Sequence, residues 1–175
     1  MAILRKIRGK VPQIGAGVFL AENAALLGDV QIGDKASIWY NVTLRGDVMP
    51  IRIGAETNVQ DNTVIHGTYQ ECGTTLAERV TIGHSVTLHG CQIGRGTLIG
   101  MGAIVMDRVV IGEHCLVGAG SLVTEGKVFP AKSLILGRPA VVKRTLTEAE
   151  VTALEESADH YLLYKGWYEN EDSAL

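Results

Sequence analysis

Three of the five histidines in this 175-residue chain, His66, His84 and His89, fall within two short stretches, "VIHG" and "TIGHSVTLHG". Imidazole is the commonest side-chain metal ligand, so clustered histidines first raise the question of a metal ion. His66 and His89 each follow an aliphatic residue, Ile65 and Leu88. Neighbours in a strand point to opposite sides, so if Ile65 and Leu88 face inward, both imidazoles face outward. That is the wrong direction for filling a core. Polar side chains accompany them: "LRGDV" supplies Arg45 and Asp47, and "VQDN" supplies Gln60 and Asp61. Arg45 and Gln60 share the outward position of His66. Gln60 could orient a water beside a metal, while Arg45 and Asp61 read equally well as ion-pair partners holding subunits together. His114 and His160 are read as ordinary surface residues, and Cys91 and Cys115 as small buried ones.

The element that must position these side chains is a repeat with a period of six. Aliphatic hexad starts run from Ile14 to Leu44, from Ile53 to Ile65, through Ile82 and Leu88, and from Ile93 to Val141. The exception is an aromatic start at Phe129. A glycine often follows the start, and a small residue often stands four places later, so large and small residues share strand parity and point inward together. Six residues are too few for a strand and a hairpin. Three such units make a triangular coil whose rungs pair in parallel, which is a β-helix solenoid. The low aromatic content, 5% beside 46% hydrophobic residues, fits a narrow aliphatic core.

Ile65 and Leu88 are 23 residues apart, one 18-residue coil plus five. If the segment "YQECGTTLAER", 69–79, bulges by five residues, His66 and His89 stack on neighbouring rungs of one face. In a rival count with no bulge, Ile65 and Ile82 are 17 apart and His66 lies nearly over His84. The non-hexad character of 71–79 favours the first. His84 belongs to the preceding hexad, with a corner between it and His89. Outward side chains on adjacent faces of a prism diverge, so one chain cannot close a three-histidine site. The spacing therefore predicts a homotrimer, with His66 and His89 from one subunit and His84 from the next.

A net charge of −3 provides no basic stripe for phosphates, so no nucleic-acid partner is expected. No apolar run reaches signal-peptide or membrane-span length, and three scattered cysteines without C-x-x-C spacing fit a reduced compartment. A cytoplasmic protein with no membrane partner is expected. The chain reads as a single domain over 1–175: an all-β prism over 13–146 with a loop near 69–80, and a helix over 147–170. Thr147 and Glu150 form a capping box, and Val151, Leu154, Ala158 and Tyr161/Leu162 recur at helical spacing for packing against the prism.

"RGD", "NVQDNTVIHG" and "TIGHSVTLHGCQIG…IGMGAIVMD" together resemble the gamma-class carbonic anhydrase-like family of the hexapeptide-repeat superfamily. The resemblance spans nearly the whole chain and implies a left-handed parallel β-helix with a C-terminal α-helix. It also implies a trimer, and zinc, or iron or cobalt in its place, held between subunits at His66, His84 and His89. In the family, positions matching Arg45 and Asp61 are interface partners, those matching Asp47 and Gln60 lie near the metal, and Tyr161 matches a tyrosine reaching the site from the terminal helix. The loop is shorter than the acidic loop of the prototype and offers only Glu71 and Glu78. The expected reaction is reversible hydration of carbon dioxide to bicarbonate by a metal-activated hydroxide, slow if no residue exports the proton. Two alternatives stand beside it: a hexapeptide acyltransferase or thioester hydrolase acting on CoA substrates, and a non-catalytic trimeric metal-binding scaffold.

Overall fold

The structure is a computed structural model that describes residues 1–171. Its body is a parallel β-solenoid in which each coil contributes one short rung to each of three faces. Seven rungs, from Phe19–Leu20 to Ser133–Gly137, form the first face. The second runs through Ala25–Gly28, Thr43–Gly46, Val64–His66, Thr87–His89, Ile104–Val105 and Leu122–Val123. The third carries Gln13–Ile14, Thr74–Leu76, Gln92–Ile93, Val110–Ile111 and Val128–Phe129, with the far ends of Ala25–Ile32 and Thr43–Ile53 between them.

The hexad starts stack in register inside the prism. On the second face Leu44 pairs with Ile65, Ile65 with Leu88, Leu88 with Val105 and Val105 with Val123. All five are fully buried. Each such side chain contributes about 1.5–3 kcal/mol by leaving water, which is how a core almost without aromatics holds the coil. The corners carry the glycines and the residues with positive φ. A Cβ on Gly33 would lie 2.5 Å from the Ala55 nitrogen of the next coil. Only glycine lets successive coils approach that closely.

Two sequence expectations change here. The loop expected near 69–80 is shorter: Thr74–Leu76 is a strand, paired with Ile51–Ile53 and with Gln92–Ile93, and Leu76 is buried among the inward ladder. What leaves the prism is the turn closed by the Thr68 and Cys72 bridge. The rung itself fits the period, since Leu76 stands six residues before Ile82 with the buried Val80 four places after it, so the hexads resume at Leu76 and not at Ile82. Val141, counted as an inward start, is half-exposed because Ala140–Thr145 turns back antiparallel along Ser133–Gly137.

The C-terminal helix, Glu148–Glu171, lies on the first face. Its capping box is formed: Glu150 Oε2 accepts from the Thr147 nitrogen at 2.8 Å, and the Glu150 nitrogen donates to Thr147 Oγ1 at 3.3 Å. Leu154 and Ala158 are buried, and Tyr161 meets Trp39 edge-on with ring centroids 5.6 Å apart. Arg79 ties the prism to the helix, donating to Glu155 and Asp159 on the helix and to Glu56 on the prism. Lys165, a charged residue in the helix's buried stripe, donates to the Gly17 carbonyl. Among the described residues no helix is long and apolar enough to cross a membrane.

Candidate metal centre

His66 and His89 are direct partners on neighbouring rungs. The five-residue bulge is thus the correct count, and the rival stacking of His66 over His84 is excluded. His66 Nδ1 and His89 Nε2 face each other at 3.2 Å. Two imidazole nitrogens bound tetrahedrally to one zinc at 2.0–2.1 Å would be about 3.3 Å apart, so the pair fits a shared ion. Their other ring nitrogens are engaged. His66 Nε2 is 3.0 Å from Asp47 Oδ1, and His89 Nδ1 is 2.5 Å from Asp107 Oδ1. Donation to these carboxylates puts the ring protons on the far nitrogens and leaves lone pairs on the facing ones, the orientation that metal-ligating histidines ordinarily take.

Arg45 and Asp47 complete this cluster, joined at 2.6 Å; Arg45 Nη2 also donates to His66 Nδ1 at 3.2 Å, onto the lone pair an ion would take, so this contact must open for His66 Nδ1 to ligate. Burial pushes the Asp47 carboxyl up, but the hydrogen bonds and charges of Arg45 and His66 outweigh it and hold the group below the usual carboxylate range. Burial, helped by the Arg45 charge, pushes the His66 imidazole down against the opposing pull of Asp47. Both shifts keep Asp47 anionic and the imidazole neutral near neutrality, the protonation states that a metal site requires.

His84 lies elsewhere. It stands in the turn between the first and second faces, while His66 and His89 end the second-face strands beside the Thr68–Cys72 turn. The His84 corner is built by Gly83, whose Cβ would lie 2.7 Å from the Met101 nitrogen, and by Ser85 at φ +57°. Thr63 braces it, donating to the Gly83 carbonyl at 3.1 Å. His84 Nδ1 is 2.8 Å from Asp61 Oδ2, and its side chain is 49% exposed. Beside it, Trp39, Asp61, Tyr161, Tyr164, Trp167 and Tyr168 line a cavity of about 240 Å³. Burial first, then the neighbouring Asp61 charge, pushes the Tyr161 hydroxyl up to about 12, so it stays protonated. Gln60 is buried, with its amide donating to Asn58 Oδ1 at 3.2 Å.

The predicted residues thus form two clusters at opposite edges of the second face. Arg45, Asp47, His66 and His89 occupy one; Asp61, His84 and Tyr161 occupy the other, with Gln60 next to Asp61 in sequence. Among the described residues of the single chain, no three histidine, cysteine or acidic side chains converge as a metal cage. Between the two edges the outward ladder is largely apolar: Ala25, Val64, Ile104 and Leu122, with Val64 42% exposed, are interleaved with Thr43 and Thr87, while Leu27 and Met106 lie along the histidine edge. The third face presents Gln13, Gln31, Arg52, Thr75 and Gln92 outward, followed by Val110 and Val128 at its far end.

Sequence reasoning missed Asp107. It stands 18 residues after His89, one nominal coil, and a search one coil beyond each histidine would have found it. Cys91 is fully buried beside the cluster; burial pushes its thiol up to about 12, which suits the filler role and not that of a ligand.

Residues 12–46 and 90–125 match the family described as "Bacterial transferase hexapeptide (six repeats)", and repeat and solenoid together define a hexapeptide-repeat protein. A solved hexapeptide transferase family protein from Anaplasma phagocytophilum superposes with a TM-score of 0.91 at 44% identity, covering 95% of this chain and 98% of that one. The chain is 45% identical to a carbonic anhydrase of Geobacillus kaustophilus over 92% of its own length and 87% of that protein. It is 38% identical to the mitochondrial gamma carbonic anhydrase 2 of Arabidopsis thaliana over 97% of its length, spanning 63% of that longer protein. The chain belongs to the gamma-class carbonic anhydrase-like family of hexapeptide-repeat proteins.

Proposed function

We propose that this protein is a homotrimer that reversibly hydrates carbon dioxide to bicarbonate at metal sites between its subunits. The observation that carries the reading is the pair of facing nitrogens of His66 and His89, 3.2 Å apart, with His84 held at the opposite edge of the same face. In a ring of three copies packed through that apolar face, the edge bearing His66 and His89 meets the edge bearing His84. Zinc is the metal that three neutral imidazoles suit best, with iron or cobalt as substitutes. When bound, such an ion with an open position brings the pKa of a water to about 7, supplying a nucleophile for carbon dioxide.

The chain's own residues act around that centre. Asp47 and Asp61 orient His66 and His84, and Arg45 holds Asp47 in its anionic form. Across the interface, Arg45 of one subunit and Asp61 of the next supply opposite charges at meeting edges. Gln60 and the protonated Tyr161 offer neutral polar groups on the His84 side. The three free cysteines accord with work in the reducing cytoplasm.

The test is metal content, mass in solution and stopped-flow carbon dioxide hydration on anaerobically purified protein, wild type beside His84→Ala. The reading requires about one ion per chain in the wild type, with metal and hydration lost together in the variant. Metal without hydration would refute the anhydrase activity and leave a metal-binding scaffold. No metal in either sample would refute the ligand assignment. The match to a transferase hexapeptide family and the similarity to the Anaplasma hexapeptide transferase favour a second reading, a transferase, for which acyl transfer from CoA substrates is the form we test. Tight acetyl-CoA binding by the same preparation would support that alternative.

A further inference from the structure

Each of the three histidines has one ring nitrogen on a carboxylate: His66 on Asp47, His84 on Asp61 and His89 on Asp107. Each carboxylate is itself held by a second donor, Asp47 by Arg45 Nη1 at 2.6 Å and Asp61 by the Tyr40 nitrogen at 3.3 Å, but only for Asp107 does that donor come from the bulging turn. Its second oxygen, Oδ2, accepts from Thr68 Oγ1 at 2.5 Å, so both carboxylate oxygens are engaged on opposite sides. Thr68 is in turn fixed by the bridge with Cys72 that closes the bulging turn, where the Thr68 nitrogen donates to the Cys72 carbonyl at 3.0 Å. The fold also clears space for the carboxylate. Gly90, at φ +58°, would place a Cβ 2.5 Å from Asp107 Oδ1, so any other residue there would displace the acid.

We propose that Asp107 is a further positioning residue of the metal site: clamped by Thr68, it fixes the His89 ring with its proton on Nδ1 and its Nε2 turned toward His66. The proposal rests on the metal reading given above. It assigns the bulging turn a purpose beyond connecting two strands, because the turn supplies the hydroxyl that locks the carboxylate. The alignment of His89 with His66 then depends on a chain of two hydrogen bonds from the turn. A ring free to rotate or exchange tautomers would present Nε2 to the ion only part of the time, and ligand-orienting groups of this kind are typically worth ~10–100-fold in metal affinity.

The experiment measures Co2+ affinity of the trimer by competition with a chromophoric chelator, together with the visible absorption of the cobalt-loaded protein. Wild type is compared with Asp107→Asn, Asp107→Ala and Thr68→Val. The expected result is ~10–100-fold weaker binding for both Asp107 variants, and a smaller loss of about threefold to tenfold for Thr68→Val. The cobalt absorption bands of Asp107→Ala should shift, which a purely structural role would not produce. Thermal unfolding of the metal-free proteins separates loss of alignment from loss of fold, and Thr68→Val serves where an Asp107 variant does not fold. Affinity within twofold of wild type in all three variants, with wild type binding normally, would overturn the role of Asp107 and leave the metal site standing. A wild-type protein that takes up no cobalt would overturn both.

Discussion

Arg79→Ala should loosen the C-terminal helix without unfolding the prism. Arg79 is 17% exposed in its side chain and joins Glu155, 25% exposed, and Glu56, 27% exposed, while Asp159 is 59% exposed. Charge-assisted hydrogen bonds contribute about 1.5–3 kcal/mol when buried. Partial exposure reduces the Glu155 and Glu56 contacts to about 1 kcal/mol each, and the Asp159 contact to a few tenths. Glu155 keeps Arg95 at 2.6 Å and His114 at 2.8 Å, and Asp159, 59% exposed, is left to solvent. Glu56 lies on the prism with Arg79, so its contact survives undocking; the two helix contacts total about 1–1.5 kcal/mol, which corresponds to ~5–12-fold faster exchange of the helix amides wherever they exchange by local undocking. Native-state hydrogen exchange across Leu154 to Tyr161 reads this directly, with the prism amides as internal control. A change below threefold would refute the reasoning and show that Leu154, Ala158 and the aromatic contacts hold the helix alone. The pH dependence has a definite sign. Burial pushes the Glu155 carboxyl up, but hydrogen bonds from Arg79 and His114 with the charges of Arg95 and Arg79 prevail and hold it below the usual range. Its contribution is therefore whole above the unfolded-state value of about 4.3 and is lost as the pH falls through the lower folded value. Helix protection should stay level from about pH 8 to 5 and decline only in more acidic buffer.

A charge on the apolar second face tests the assembly: Val64→Glu, at a position 42% exposed in the single chain, should shift the solution mass by light scattering from trimer toward monomer. An unchanged trimer would place the interface elsewhere. Leu76→Ala should cost about 2–5 kcal/mol in chemical unfolding, because Leu76 is buried between Ile53 and Ile93; a cost below about 1 kcal/mol would mean that the Thr74–Leu76 rung is not part of the core.

Much of the prism was legible because a six-residue repeat states the same physical requirement many times. Each inward Ile, Leu or Val repeats the parity of the one a coil before it, so isolated errors do not obscure the pattern. The repeat was hidden at Leu76, which is in phase with Ile82 and Leu88 but follows an insertion that breaks the count from Ile65. Thr74–Leu76 still pairs on both sides, since ladder hydrogen bonds belong to the backbone. Val141 failed the opposite way, keeping the composition while its strand reversed direction. The capping box was legible because it is local, a contact between residues three apart.

The amino-acid sequence by itself determined the coil, the outward parity of His66 and His89, and the corner separating them from His84. Those features follow from strand alternation and from a period that divides evenly among three faces. Tertiary structure decided which ring nitrogens are engaged and which face the neighbouring ligand. The partners of the rings come from other coils, Asp47 19 residues before His66 and Asp107 18 residues after His89, and insertions between coils shift the rungs. A hydrogen bond between coils depends on the accumulated register of everything between its ends, and a difference of one residue reverses which side of the sheet a side chain occupies.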